Sequence, residues 1–260
     1  MGPLKIRLAV HTTIPRGDVV HAISLAEALA AIGHDVELWA LSHSRNGFFR
    51  PVSVPTVLVP GARRSRTPIS AWFAEDADAL ARAMGTAPAA DIVHAEDALT
   101  ARSLLLLRER GIVGHVIRTI HHVNAYADPD LLEFQRASIV DVDTRICVSR
   151  HWAARVDQEF GVDSAVVANG TDYGRYADLP FSREEAGAAF GWDERPVVLS
   201  VGGIEPRKGS RLLLEAFGRA RGRRFPGGGR GPGGRAATLP RLSSATPACS
   251  SMPSCTGLAK

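Results

Sequence analysis

The chain has 260 residues, of which 45% are hydrophobic, enough for one large or two ordinary domains with a packed core. No apolar run reaches about 18 residues, so no membrane span is predicted, and the N-terminus lacks the apolar region of a secretory signal. Cys147, Cys249 and Cys255 are too few and too scattered for a disulfide framework or a zinc site. These features favour a cytoplasmic protein.

The formal net charge of +4 is unevenly distributed along the chain. Residues 219–260 contain seven arginines, one lysine and no acidic residue, so residues 1–218 carry a net charge of about −4. The basic character therefore belongs to the C-terminal segment. It gives no reason to expect that the folded body binds nucleic acid.

Short apolar runs alternate with segments of helical periodicity over most of the chain. A strand at 6–11, a helix at 19–32 and a strand at 36–41 form a first βαβ unit. Further strands are predicted at 54–59, 91–95, 115–121, 144–148 and 165–168, and further helices at 69–84, 99–110, 130–140 and 150–160. The alternation predicts an α/β fold with a doubly wound, Rossmann-like parallel sheet, and residues 4–170 form its domain.

The sequence after this domain divides into three parts. Residues 171–196 are predicted to be a connector with one short helix after Ser182. Residues 197–218 combine a buried apolar strand with a helix after Ser210, a good N-cap, and they are expected to start a second, incomplete α/β domain. Residues 219–260, rich in Arg, Gly and Pro, are predicted to be disordered. Two explanations stay open for that segment: a frameshift in a GC-rich gene, or a tail that binds RNA or membranes.

The turn between this strand and helix has the composition of an anion site. Gly202 and Gly203 end the strand, and Arg207 and Lys208 precede the helix, whose free N–H groups and dipole favour phosphate. The motif is not a P-loop, because lysine precedes glycine, and no G-x-G-x-x-G is present. Spacing alone leaves a basic turn without a ligand as an equal alternative.

The segment V-G-x-x-x-P-x-K-G followed by an amphipathic helix resembles the donor-phosphate segment of GT-B glycosyltransferases of family 4. The resemblance extends over most of residues 4–218. It implies that Lys208 and a nearby arginine hold the diphosphate of a nucleotide sugar. Gly203 stands where many members have that arginine, so Arg207 is expected to supply the second cation. Glu205 is expected to orient Arg207 or to lie at the sugar site.

Two further segments resemble the family in the N-terminal half. Arg16, Gly17 and Asp18 are similar to the glycine loop that faces the acceptor and the transferring phosphate, with Asp18 where many members have a second glycine. An N-cap aspartate is the structural alternative for Asp18. The strand that carries His94 resembles the family's D-V-V-H strand, whose polar residues emerge at the carboxyl end of the sheet, and the resemblance makes His94 a candidate sugar-site residue. The alternative for His94 is a hydrogen-bonded residue at a strand end.

A histidine pair follows the predicted strand at 115–121. In family 4, the histidine after such a T-[V/I] strand end lies against the transferred sugar, and His121 matches that position. Adjacent side chains of a strand point to opposite faces, so only one of His121 and His122 is expected to enter the cleft easily, and His122 stays the alternative to His121. The later segments Val148-Ser149 and Asn169-Gly170 resemble the family's V-S and N-G-V-D motifs.

The resemblance implies a retaining transfer of a hexosyl group from a nucleotide diphosphate sugar to an unknown acceptor, without a metal or other cofactor. Activity of this chain is expected to be weak or absent, because the family's donor domain also needs an E-x7-E motif that the sequence lacks. Two alternatives stay open: an inactive fragment or non-enzymatic binding module, and another Rossmann-type nucleotide-binding enzyme. The sequence also leaves peripheral membrane contact open.

Overall fold

The computed structural model describes residues 2–42, 47–62, 68–177, 181–192, 198, 200 and 208–220. The chain divides into two compact units, residues 1–180 and residues 181–260. Among the described helices, none is both long enough and apolar enough to cross a membrane.

The first unit alternates strands and helices along the chain. The strands are β1 Lys5–Val10, β2 Asp35–Ser42, β3 Thr56–Pro60, β4 Ile92–Ala95, β5 Val116–Ile120, β6 Thr144–Cys147 and β7 Ala165–Val166. The helices are α1 Gly17–Ala31, α2 Ile69–Gly85, α3 Ala98–Glu109, α4 Pro129–Val140, α5 Arg150–Phe160 and α6 Gly174–Ala177. The second unit contains α7 Arg183–Ala189 and α8 Ser210–Ala220.

The seven strands form one sheet in the order β3-β2-β1-β4-β5-β6-β7, and every neighbouring pair is parallel. This arrangement confirms the predicted doubly wound α/β sheet. The strand order reverses between β1 and β4, because the chain builds outward from β1 to β3 and then returns to the other side of β1. Ligands of such sheets bind at the reversal point.

The central strand β1 is covered on both faces, which explains its continuous apolar sequence. Ile6, Leu8 and Val10 point to one side and pack in a cluster with residues of α1. Ala9 points to the other side and joins the cluster formed by α2 and α3. The helices α1 and α3, which flank the reversal point, therefore pack on opposite faces of the sheet.

The structure differs from the predicted elements at two helix starts. Helix α1 begins at Gly17, so Asp18 lies in its first turn; the N-cap position is Arg16, and the prediction of an N-cap aspartate is wrong. Helix α8 begins at Ser210, so Ser210 is its first residue rather than its N-cap. The carbonyl of Gly209, a residue with φ of 68°, accepts the hydrogen bond of the Leu213 N–H instead.

The connector contains one helix that was not predicted and one that was. Helix α6 is only four residues long, too short to produce a periodic pattern. Helix α7 follows Ser182 as predicted, and Ser182 and Glu185 form a reciprocal capping box. The predicted strand at 197–201 and the segment after residue 220 lie outside the described residues, apart from positions 198 and 200.

We expect Leu8→Ala to lower the free energy of unfolding by about 3 kcal/mol, because its fully buried side chain leaves a cavity at the centre of the sheet. Urea unfolding followed by circular dichroism measures the change. Leu132→Ala is the matched control: this leucine is 44% exposed, and its loss should cost less than about 0.5 kcal/mol. Equal costs for the two variants would contradict the assigned core.

Candidate active site

Three strands that are neighbours in the sheet end at one edge, and each is followed by polar side chains. His11 follows β1, Glu96 and Asp97 follow β4, and His121 follows β5. In an open parallel sheet, the carboxyl ends of the strands at the reversal point form the ligand-binding crevice. Here that point lies between β1 and β4, so these side chains mark the candidate active site.

The first set of contacts, which we call the Glu96 group, consists of His21, Glu96 and His121. Glu96 is 1% exposed, and its Oε2 lies 3.1 Å from Nδ1 of His21 and 2.9 Å from Nε2 of His121. Burial would raise the pKa of Glu96, but the hydrogen bonds of His121 and His21 lower it to about 2. The group therefore contains a permanent buried negative charge at neutral pH.

Glu96 favours the protonated form of His21. Burial would lower the pKa of His21, but the hydrogen bond and the charge of Glu96 outweigh burial and raise it above the ordinary value of 6.5. The ring of His121 lies edge-on to the ring of His21, with centroids 4.9 Å apart and planes at 75°. One carboxylate thus holds two imidazole rings in fixed orientations.

His94 lies beside the Glu96 group but has a different partner. Its side chain is buried, and its Nε2 lies 2.8 Å from the Thr119 hydroxyl oxygen. Burial lowers the pKa of His94, and the charges of His21 and His121 lower it further against the opposing effect of Glu96. This neutral, hydrogen-bonded ring has the geometry of the structural alternative considered for His94.

A second set of contacts, the His11 group, consists of His11, Asp18 and Asp97. Nδ1 of His11 lies 3.1 Å from Oδ2 of Asp97 and 3.6 Å from Oδ2 of Asp18. Burial would lower the pKa of His11, but the charge and hydrogen bond of Asp97, followed by the charge of Asp18, raise it. The guanidinium of Arg16 lies 3.3 Å from the other ring nitrogen of His11.

Asp97 also fixes the backbone of the site. Its Oδ1 accepts the N–H of Thr100 and caps α3, while its Oδ2 accepts the backbone N–H of His11. The Thr100 hydroxyl completes a capping box with the Asp97 N–H. One side chain therefore joins the start of α3 to the end of β1.

The structure brings together the N-terminal residues that the sequence singled out. Arg16 and Asp18 both approach His11, and Gly17 begins α1 between them. His121 contacts the carboxylate of Glu96, whereas the ring of His122 lies near the ring of Trp152, with centroids 6.4 Å apart. The two neighbouring histidines thus have separate surroundings, as the prediction of opposite faces required.

The donor-side residues belong to the second unit. Lys208 is exposed and lies two residues before the start of α8. Gly202, Gly203, Glu205 and Arg207 lie outside the described residues. Their assigned roles in phosphate and sugar binding stay predictions.

Sequence reasoning missed the role of four residues in this site: Glu96, Asp97, His21 and His11. Glu96 was not assigned a role, although it follows β4 at the sheet edge where polar residues of this fold collect. Its contact with His21 spans 75 positions of the chain. That contact depends on the strand order rather than on any local pattern, so only the position after β4 could have indicated Glu96.

A separate groove of about 660 Å³ lies against α4 and α5 and includes Tyr126 and Phe160. Its charged side chains are paired within the same helix, Arg136 with Glu133 and Arg155 with Glu159. The groove therefore offers little uncompensated charge to an ionic ligand, and the crevice at the strand ends stays the stronger candidate.

We expect Glu96→Gln to move the pKa of His21 from above 6.5 to below 6.5, because burial remains while the carboxylate is lost. NMR titration of the imidazole resonances measures this pKa. Glu133→Gln, which alters an exposed carboxylate paired with Arg136, is the control and should leave His21 unchanged. An unchanged His21 pKa in Glu96→Gln would contradict the ion pair.

The raised pKa of His21 also makes the free energy of unfolding depend on pH. Because the folded pKa of His21 is raised, its protonated form adds stability that is fully present below pH 6.5 and lost as the pH rises through the folded pKa. Unfolding measured across this range should show a smaller loss with rising pH in Glu96→Gln than in the unaltered chain. The remaining loss belongs to His11, whose pKa is also raised.

Known proteins that are similar to this chain in sequence or structure include glycosyltransferases. A 34% identical segment of 88 residues is shared with the GDP-mannose-dependent alpha-(1-6)-phosphatidylinositol monomannoside mannosyltransferase of Mycolicibacterium smegmatis, covering 33% of this chain and 23% of that protein. Among solved structures, HepE of Anabaena in complex with UDP and glucose superposes with a TM-score of 0.61 and 14% identity. That alignment covers 83% of this chain and 58% of HepE.

The catalytic domain of starch synthase IV from Arabidopsis thaliana, bound to ADP and acarbose, gives a TM-score of 0.63 and 15% identity over 85% of this chain and 67% of that one. These similarities show the fold, and the chain spans less than two thirds of the mannosyltransferase and of HepE. The model of Glycosyltransferase Family 4 matches residues 15–175, more than half of the sequence. The chain therefore belongs to Glycosyltransferase Family 4.

Proposed function

We propose that this protein takes part in retaining transfer of a hexosyl group from a nucleotide diphosphate sugar to an acceptor, with the Glu96 group beside the transferred sugar. The observation that carries the proposal is the fixed orientation of His121, whose Nε2 lies 2.9 Å from a buried carboxylate oxygen. His121 is also the residue that matches the family histidine next to the sugar. Relatives of the same fold include proteins bound to UDP with glucose and to ADP.

The contact with Glu96 determines which atom of His121 can meet a ligand. Glu96 is ionised, so Nε2 of His121 must carry a proton to donate to it. In the neutral ring Nδ1 is then an acceptor, suited to a sugar hydroxyl. Holding the ring in one tautomer and one orientation removes an entropic cost from sugar binding.

Departure of the nucleotide diphosphate requires positive charge on the donor side. Lys208 precedes α8, and the N-terminal end of a helix favours phosphate. Arg207, Gly202 and Gly203 complete the proposed phosphate segment, with Glu205 as the residue that orients Arg207. Cations and helix N–H groups stabilise the leaving diphosphate, so the proposed transfer needs no metal.

The acceptor is proposed to enter on the side of the His11 group. Arg16, Gly17 and Asp18 border this side, and His11 lies between two carboxylates there. The cytoplasmic location predicted from the sequence is kept as part of this proposal.

We expect His121→Ala to remove the part of donor affinity that comes from the sugar. A panel of nucleotide sugars (UDP-glucose, GDP-mannose and ADP-glucose) and the matching free diphosphates is titrated calorimetrically against the full chain. The best sugar donor should bind more tightly than its diphosphate, and the variant should lose about tenfold in sugar-donor affinity only, the cost of one hydrogen bond. His122→Ala is the control, and an equal loss of sugar-donor affinity in this variant would contradict the assignment of His121.

Lys208→Ala should weaken the nucleotide sugar and its free diphosphate alike, by about tenfold, because a contact to a charged phosphate is lost. The same titration measures both ligands. Arg211→Ala removes an equal charge from the same helix, where Arg211 lies 3.5 Å from Glu215, and should change neither affinity. Equal losses in both variants would mean a general charge effect and no phosphate site at Lys208.

A further inference from the structure

Two imidazole rings from separate parts of the fold meet at a single carboxylate oxygen. Nδ1 of His21, on α1, and Nε2 of His121, after β5, both lie within 3.1 Å of Oε2 of Glu96. These three atoms all lie within 4.8 Å of one another. Two histidine nitrogens and one carboxylate oxygen form a ligand set that zinc uses at sites with an open fourth position.

The distances suit a small cation. Bonds of about 2.0–2.2 Å in tetrahedral geometry place ligand atoms roughly 3.2–3.6 Å apart. The two nitrogen–oxygen distances of 3.1 Å and 2.9 Å are slightly shorter, so a bound cation would increase each of them by a few tenths of an ångström. The side chains of His21 and His121 are 18% and 11% exposed, so both rings have part of their surface in contact with solvent.

The other oxygen of Glu96 supplies an independent observation. Within the part of the chain that the structure describes, Oε1 of Glu96 is buried and has no hydrogen-bond donor. Nε2 of His94 lies 3.7 Å from this oxygen, too far for a hydrogen bond, and that nitrogen already pairs with the Thr119 hydroxyl. A buried, unpartnered carboxylate oxygen is costly, and bidentate coordination of a cation would satisfy it.

We propose that His21, Glu96 and His121 bind one zinc-type divalent cation through Nδ1, the carboxylate and Nε2; each neutral ring then carries its one proton on its other nitrogen, and any excess proton is released to solvent. A cation on Nε2 of His121 leaves the ring proton on Nδ1, so the metal-bound state and the proposed acceptor contact of Nδ1 with a sugar hydroxyl exclude each other. The ion holds both rings in place, and the site can exist whether or not the proposed sugar transfer is correct.

The His11 group is the competing location for a cation. Among the described residues, Nδ1 of His11 is also a buried atom without a partner in good hydrogen-bond geometry, but the carboxylate ligands of this group are less available. Both oxygens of Asp97 already accept backbone N–H groups, from Thr100 and from His11. Metal binding there would remove the cap of α3. The hydrogen bonds that join the Glu96 carboxylate to the two imidazoles involve side chains and not the backbone, so a cation there would disturb no helix cap, and the Glu96 group is the preferred site.

Calorimetric titration of the tag-free 260-residue chain with Zn²⁺ at neutral pH tests the proposal. Cys249→Ser and Cys255→Ser are introduced in every sample to remove two thiol ligands. One equivalent of Zn²⁺ should bind, and Glu96→Gln should weaken binding by at least about 100-fold, since even outer-shell changes cost 10- to 100-fold. His21→Ala, a second variant on a partly exposed helix face, should do the same if Glu96→Gln folds poorly.

Two controls make the outcome decisive. His115→Ala removes an exposed histidine that pairs with Thr144, and it should leave Zn²⁺ affinity unchanged. Co²⁺ should give the visible absorption bands of tetrahedral coordination in the parent chain and lose them in His21→Ala. Absence of stoichiometric binding, or binding that survives His21→Ala and fails in His11→Asn, would overturn the proposal.

Discussion

The structure depends on the compensation of one buried negative charge. Glu96 lies at the end of a central strand, almost completely removed from solvent, where an isolated carboxylate would be several kcal/mol unfavourable. Two imidazoles offset this cost, one from α1 and one from the segment after β5. The contacts tie together three elements that are distant in sequence. The arrangement of the candidate site is therefore part of what keeps the charge buried.

The topology explains why this charge is at the reversal point. Helices α1 and α3 pack on opposite faces of the sheet, so the chain leaves the ends of β1 and β4 toward opposite faces, and in open parallel sheets such a reversal point is where ligands bind. Polar residues placed directly after those strands therefore lie at the edge of the sheet where ligands of this fold bind. The chain uses these positions for His11, Glu96 and Asp97.

The fold was largely predictable because its signals are local. The bounds of α5 match the sequence prediction, since Ser149 caps the helix and Gly161 ends it in the left-handed region at φ of 65°. The buried strands were equally clear from short apolar runs. The site was less predictable, because the His21–Glu96 contact depends on the sheet order. Asp18 misled the helix start because an aspartate suits both the cap and the first turn.

Hydrogen bonds to β1 and α3 hold the backbone of the neighbouring acids Glu96 and Asp97 in place. The Glu96 N–H donates to the carbonyl of Ala9, and the Asp97 side chain is held by the N–H groups of Thr100 and His11. Both peptide units are therefore fixed to β1 and α3 before any ligand arrives. The fixed backbone sets the direction of the Cα–Cβ bond of Glu96, and the hydrogen bonds with His21 and His121 fix its carboxylate. A helix cap on one residue thus sets the orientation of two imidazoles through the carboxylate beside it.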